Sequence, residues 1–91
     1  MTQQSIEVTV AHPMGLHLRT GKEVVQLANQ FDAEITAQNL TRESPTVSLK
    51  SLLQLMQLQA RQGHILLVQA DGQDATAALR ALEELFRLAI S

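Results

Sequence analysis

Cysteine is absent from the 91 residues, and aromatic residues are scarce. Without cysteine the chain can form neither a disulfide bond nor a thiolate metal site, and it has no thiol nucleophile. Trp and Tyr do not occur, and aromatic residues make up 2% of the sequence, whereas 45% of the residues are hydrophobic. The core must therefore be aliphatic, with Phe31 and Phe86 as its only aromatic side chains.

Charge is also in short supply, with seven basic and nine acidic residues and a formal net charge of −2. This balance provides no positive field for a polyanion, so we expect no nucleic-acid partner. No apolar run approaches the roughly 18 residues of a membrane span. The first ten residues also lack the basic and apolar regions of a signal peptide. These features predict one domain over residues 1–91, cytoplasmic, monomeric and not inserted in a membrane.

The spacing of apolar residues predicts four strands and three helices. Alternation predicts strands at residues 5–10 and 33–39 and a short one at 46–49, and the apolar run at 64–70 predicts a central strand. Helical spacing over residues 23–31 places Val24, Leu27, Ala28 and Phe31 on one side of a helix. Residues 40–45 are polar, end in proline and predict a loop.

Two further helices are predicted from their first residues. Ser51, with Gln54 three residues later, fits a capping box, so a short helix is expected to begin there within residues 51–58. Asp74 can cap the last helix, whose apolar stripe is Ala75, Ala78, Leu79, Leu82, Leu85, Phe86 and Ala89. The order βαββαβα then predicts an α+β fold in which three helices cover one face of a four-stranded antiparallel sheet.

His17, within the stretch GLHLRTG, is the strongest candidate for chemistry. It lies near a predicted helix start, where unpaired N–H groups and the helix dipole favour an anion. A neutral imidazole can accept a phosphoryl group, and the forked guanidinium of Arg19 can bind phosphate oxygens. A histidine before a helix is nevertheless more often a loop residue without function, and that alternative stays open on spacing alone. We expect His12 and His64 to be structural, and no metal site.

The stretch GLHLRTG resembles the active-site motif of the HPr family, the histidine-containing phosphocarrier of the phosphoenolpyruvate:sugar phosphotransferase system. That motif typically reads Gly-Leu-His-(Ala/Thr)-Arg-Pro-Ala. The segment VSLKSLLQLMQL, residues 47–58, resembles the family's regulatory-serine segment. The likeness in length and element order extends over nearly the whole chain. It implies the family's open-faced β-sandwich, the architecture that the apolar spacing also predicts.

The resemblance implies a role for each matching residue. His17 matches the phosphorylated histidine and Arg19 its supporting arginine. Ser51 matches a serine that a kinase phosphorylates in some members, although it could be simply a helix cap. The apolar patch that docks onto partner enzymes is matched by Leu52, Leu53 and Met56. A short helix cannot bury all of Leu52, Leu53, Leu55 and Met56 on one stripe, so we expect some of them to be exposed.

The same resemblance implies a carrier more than a self-contained enzyme. An enzyme I-like donor would supply the phosphoryl group, an enzyme IIA-like acceptor would receive it, and a serine kinase or phosphatase could act on Ser51. No cofactor or metal ion is expected. Two alternatives remain: a regulatory HPr-like protein that controls a transcription factor or enzyme through its phosphorylation state, and a plain α+β binding domain in which His17 is incidental. A specialised phosphorelay, nitrogen-related or dihydroxyacetone-linked, lies between the carrier and the regulatory protein.

Three features depart from the family pattern. Thr20 and Gly21 replace the usual Pro-Ala, Met14 stands where a polar residue is common, and the loop at 39–46 is longer. Two helix starts are then conceivable. If the helix begins at Leu18, as in the family, the side chain of Thr20 has little to do. If it begins later, Thr20 is the N-cap and Glu23 completes a capping box. The box favours the later start.

Overall fold

The computed structural model describes residues 3–88 of the chain and contains seven elements in the predicted order βαββαβα. The strands are β1 (Gln3–Thr9), β2 (Glu34–Asn39), β3 (Val47–Ser48) and β4 (Ile65–Asp71). The helices are α1 (Leu18–Ala28), α2 (Leu52–Met56) and α3 (Ala75–Leu88). Residues 40–46 form the predicted loop between β2 and β3.

The four strands form one antiparallel sheet in the order β1-β4-β2-β3. The apolar run that predicted a central strand is β4, which pairs with β1 on one side and β2 on the other. Val8 lies opposite Leu66, and Ile35 lies opposite Ala70, so apolar side chains of neighbouring strands share one face. This alternation confirms the predicted antiparallel architecture.

The apolar face of the sheet is buried beneath the helices. Helix α3 packs on β1 and β4, while α1 contacts both α2 and α3. Residues that point the other way, such as Glu7 and Glu34, are exposed, as expected for a sheet covered on one side. The sheet contributes these buried apolar residues to the core: Val8, Ile35, Ala37, Val47, Leu66, Val68 and Ala70.

The predicted stripe of α3 faces this core. Ala75, Ala78, Leu79, Leu82 and Phe86 are buried, and Leu85 is half-buried. Ala89, the last predicted member of the stripe, lies outside the described residues. Asp74 directly precedes α3, and its carboxylate accepts a hydrogen bond of 2.8 Å from the backbone N–H of Asp32. Asp74 therefore ties the start of α3 to the turn before β2.

Helix α1 ends earlier than its apolar spacing predicted. Its last residue is Ala28, and the side-chain amide of Asn29 donates to the carbonyl oxygens of Val25 at 2.9 Å and Lys50 at 3.2 Å. The second bond reaches the segment that leads into α2, so the helix end is fixed by a contact distant in sequence. Phe31 lies beyond the helix, yet it still packs against the core.

Asn39 is a buried polar residue at the end of β2 that the apolar pattern did not single out. Its side chain is fully buried: Oδ1 accepts from the backbone N–H of Arg42 at 3.2 Å, and Nδ2 donates to the carbonyl of Leu58 at 3.1 Å. Nδ1 of His64 lies 3.0 Å from Asn39 Nδ2 and accepts from the backbone N–H of Arg61 at 3.1 Å. These bonds join the loop before β3 to the loop after α2.

Candidate functional site

The loop from β1 to α1 is held in place by Gly15 and Leu16. Gly15 has a φ of +69°, and a Cβ there would lie 2.6 Å from the carbonyl oxygen of Ala60, so only glycine fits. The backbone N–H of Leu16 donates to the same oxygen at 2.8 Å, and the Leu16 side chain is buried. These contacts fix the position of the next residue, His17.

Helix α1 begins at Leu18, and His17 is its N-cap, with an extended backbone. The predicted later start with Thr20 as the cap is wrong, because the N–H of Gly21 already donates to the carbonyl of His17 at 2.7 Å. Thr20 is instead the third helical residue, and it is buried. Its hydroxyl accepts from the N–H of His17 at 3.1 Å and donates to the His17 carbonyl at 3.1 Å.

The side chain of Thr20 therefore has a structural role even though the helix begins at Leu18. Its hydroxyl replaces the Glu23 partner of the predicted capping box and ties the helix directly to the backbone of His17. Where the family usually has proline, which fixes the backbone through its ring, this chain uses a side-chain hydrogen bond. The half-buried ring of His17 is thus attached to a backbone whose N–H and carbonyl are both hydrogen-bonded.

The first turn of α1 presents its amides beside His17. The N–H groups of Leu18, Arg19 and Thr20 have no intrahelical acceptor at this end of an 11-residue helix. The helix dipole adds about 0.3–1 kcal/mol for an anion at such a position. The exposed side chain of Arg19 extends from the same turn. The arrangement can hold a phosphoryl group through backbone donors and leave its outer oxygens open to a partner.

His12 also belongs to this end of the molecule, although the sequence predicted a structural residue apart from the site. Its ring contacts the ring of His17 edge-on, with centroids 5.5 Å apart and planes at 69°. A turn brings it there, since the N–H of Gly15 donates to the carbonyl of His12 at 2.8 Å. Proline and glycine at the second and fourth places of HPMG are the sequence signal for this turn.

Ser51 caps α2, as predicted. Its hydroxyl accepts a 3.2 Å hydrogen bond from the backbone N–H of Gln54, and its carbonyl accepts from the N–H of Leu55 at 2.8 Å. Gln54 does not complete the predicted capping box: its side chain accepts from the N–H of Ser48 at 2.9 Å, which links the helix to β3. Ser51 itself is half-buried.

The apolar residues of α2 divide between core and surface, which confirms that this short helix cannot bury them all. Leu55 is fully buried, whereas Leu53 is 78% exposed. Leu52 and Met56 are half-buried against α1, where a Cβ on Gly21 would lie 3.2 Å from Leu52 Cδ1 and 3.3 Å from Met56 Sδ. The helix that carries the predicted docking residues therefore packs directly on the helix that begins at His17.

Two more exposed apolar residues flank His17 in the chain, Met14 at 74% and Leu18 at 54% exposure. A cavity of about 290 Å³ lies elsewhere, between β1 and α3, and none of the predicted site residues lines it. The candidate site is thus an open surface, which suits contact with another protein more than enclosure of a small molecule.

Within residues 3–88, no cluster of His, Asp or Glu side chains could hold a metal ion. In the same part of the chain, no helix is long and apolar enough to cross a membrane.

Comparison with known proteins places the chain in a family. Residues 4–87 match the model of the phosphorylation site of the HPr component of the phosphotransferase system. A phosphocarrier protein HPr of Xylella fastidiosa is 39% identical over 80 residues, which are 88% of this chain and 86% of that protein. A phosphocarrier protein NPr of Shewanella violacea is 37% identical over 82 residues, covering 90% and 87% of the two chains.

A multiphosphoryl transfer protein of Haemophilus influenzae is 43% identical over 74 residues, which are 81% of this chain but 15% of that protein's length. Among solved structures, the phosphocarrier protein HPr of Bacillus anthracis has a TM-score of 0.83 at 31% identity, covering 92% of this chain and 96% of that one. The family match extends over both the His17 loop and α2. The chain therefore belongs to the HPr family, the phosphocarrier component of the phosphotransferase system.

Proposed function

We propose that His17 is the residue that carries the phosphoryl group. The observation that supports this most directly is its position as N-cap of α1, beside three amides without an intrahelical acceptor. Family membership supplies the reaction class, and this geometry sets an imidazole beside a helix start that favours an anion. Arg19, in the same exposed turn, supports the phosphate oxygens.

In the proposed transfer, an unprotonated ring nitrogen of His17 attacks phosphorus in line. A P–N bond forms while the bond from phosphorus to the donor's leaving atom breaks, and the leaving atom keeps the electron pair. The reverse displacement delivers the group to the acceptor. The amides of α1 offset negative charge on the phosphoryl oxygens in both steps. Alignment by the partner proteins supplies much of the remaining acceleration.

The partners follow from this role as proposals. An enzyme I-like protein charged by phosphoenolpyruvate is the donor, and an enzyme IIA-like protein is the acceptor. Both would be met in the cytoplasm, where phosphoenolpyruvate is produced. The exposed Leu53 and the half-buried Leu52 and Met56 form the docking surface for them. Apolar residues at such a surface exclude water from the transfer geometry when the partner binds.

Ser51 is proposed as a regulatory position. Its hydroxyl already caps α2, so a phosphate there would lie at a helix start that tolerates negative charge. The same charge would border the docking surface of α2 and would have to lose water or face acidic groups when a partner binds. Modification would then weaken docking and leave the fold intact.

The decisive experiment is phosphorylation with labelled phosphoenolpyruvate and the enzyme I of the same organism. We expect one phosphate per chain, stable in base and labile in acid, mapped to His17 by mass spectrometry. Label on His12 or His64 would overturn the assignment to His17. Absence of any histidine label, with the donor shown to be charged, would favour a binding domain in which His17 is incidental.

A further inference from the structure

His12 makes two contacts that together define its place in the molecule. Its Nδ1 accepts a 2.9 Å hydrogen bond from the backbone N–H of Met14, and its ring lies edge-on to the ring of His17 with centroids 5.5 Å apart. The first contact is to the backbone of its own loop. The second is to the side chain proposed to react.

The first contact determines the tautomer of His12. A backbone N–H can only donate, so Nδ1 of His12 must be unprotonated to accept from Met14. The neutral ring then carries its proton on Nε2. If Nδ1 carried a proton, two donors would face each other, and the hydrogen bond from the Met14 N–H would be lost. The orientation of the ring is therefore fixed by the turn HPMG.

The second contact limits the orientations open to His17. An exposed or half-buried histidine before a helix can occupy several rotamers, and only some of them place a ring nitrogen over the amides of the first turn. A neighbouring ring held by its own hydrogen bond removes some of these choices and reduces the entropy lost when the reactive arrangement forms. This benefit comes from the ring of His12, and the acceptor adds to it by holding that ring in place.

We propose that His12 is a positioning residue for phosphoryl transfer. It acts through His17 and rests on the proposed role of His17 as carrier. The Met14 N–H holds the ring of His12, and that ring holds the ring of His17 in the orientation from which its nitrogen attacks. His12 neither carries the phosphoryl group nor contacts the donor.

Two substitutions test the ring of His12 and its hydrogen bond separately. His12→Asn keeps an acceptor for the Met14 N–H, since an asparagine side chain accepts readily from the amide two residues on, but it removes the ring. His12→Phe keeps a ring and removes the acceptor. If His12 only stabilises the loop, the transfer rate of each variant should follow its melting temperature. His12→Asn should then transfer faster than His12→Phe.

We expect the opposite order. His12→Asn should melt near the wild-type temperature, yet accept the phosphoryl group from charged enzyme I roughly three- to tenfold more slowly, as one aromatic contact would allow. The loss should appear in kcat, with KM for the carrier unchanged, because the docking residues are untouched. His12→Phe should melt lower and transfer faster than His12→Asn.

The measurements are thermal unfolding, steady-state transfer from enzyme I charged with phosphoenolpyruvate, and mapping of the label. Wild-type kinetics in His12→Asn, or slower transfer in His12→Phe than in His12→Asn, would overturn the positioning role. A failure of the proposed function is distinct, because the wild-type protein would then carry no label on His17.

Nuclear magnetic resonance of the wild type tests the geometry without any variant. We expect ¹⁵N shifts of His12 that report a protonated Nε2 and an unprotonated Nδ1, together with a cross-relaxation peak between the His12 and His17 rings. A protonated Nδ1 in the neutral ring, or no contact between the two rings, would overturn the proposal.

Discussion

His17 and His64 are both half-buried, and each follows closely on a glycine with a positive φ, Gly15 at 69° and Gly63 at 89°. The two residues differ in the hydrogen bonds that hold them in the fold. Nδ1 of His64 accepts from the backbone N–H of Arg61 and faces the amide of the fully buried Asn39. The ring of His64 thus has a structural role as a hydrogen-bond acceptor.

His17 is held in the fold through hydrogen bonds of its main chain. Its backbone is held by the hydroxyl of Thr20 and by the first turn of α1. The main chain fixes where the imidazole begins, and the ring of His12 contacts it edge-on. The contrast teaches that the fold uses the ring of His64 as a hydrogen-bond acceptor, whereas it holds His17 mainly through backbone contacts.

The strongest way to break this comparison is to replace each histidine by glutamine. We expect His17→Gln to abolish phosphoryl acceptance while the free energy of unfolding changes little. His64→Gln should retain acceptance and lose about 1–3 kcal/mol of stability, since the amide of the fully buried Asn39 and the backbone N–H of Arg61 lose a well-placed acceptor. Urea unfolding and transfer from charged enzyme I measure the two effects. Equal stability losses in both variants would remove the distinction.

A negative charge at Ser51 sharpens the comparison on the α2 side of the site. We expect Ser51→Asp to leave the melting temperature within a few degrees, because a carboxylate is favourable at a helix start. Transfer from the donor should become severalfold weaker, through a higher KM, because the charge borders the docking residues. Ser48→Asp, on β3, is the control for charge alone. Unchanged kinetics in Ser51→Asp would exclude Ser51 from regulation.

The hydroxyl of Thr20 should matter for stability and for the backbone of His17. Thr20→Val keeps the branched shape and removes both 3.1 Å hydrogen bonds to His17, so we expect a loss of about 0.5–1.5 kcal/mol. Thr9→Val, at an exposed strand position, serves as the matched control and should change stability little. A Thr20→Val variant as stable as the wild type would show that the helix start does not depend on this hydroxyl.

Gly21→Ala should have the smallest effect, because two contributions oppose each other. Alanine is better than glycine within a helix by about 1 kcal/mol. Its Cβ, however, would lie 3.2–3.3 Å from side-chain atoms of Leu52, Leu55 and Met56, which must yield slightly. We expect a net change within about 0.5 kcal/mol by urea unfolding. A loss well beyond that would show that the packing of α2 on α1 is rigid at Gly21.

Local patterns were sufficient for the element order and for most of the core. The alternation in β1 and β4 and the stripe of α3 are properties of neighbouring residues, and burial in the structure follows them. The Ser51 cap of α2 was equally readable, since donor and acceptor are three residues apart. The identity of the motif around His17 likewise needs only a few consecutive residues.

The start of α1 could not be decided in this way. The segment TGKE offers a plausible capping box, and the alternative start at Leu18 offers the hydroxyl of Thr20, so the local energies are similar. The bond from the N–H of Leu16 to the carbonyl of Ala60 and the close approach of Gly15 to Ala60 fix the loop before the helix. A contact between distant segments thus selects the earlier start.

The sequence by itself determined the order of the elements, the aliphatic core and the motif that contains His17, because each depends on spacing along the chain. Only the tertiary structure decided that His12 meets the ring of His17, that α2 packs on Gly21, and that Asn39 and His64 share a buried network. These relations depend on how loops and helices meet in space. Their energies come from contacts that no local pattern contains.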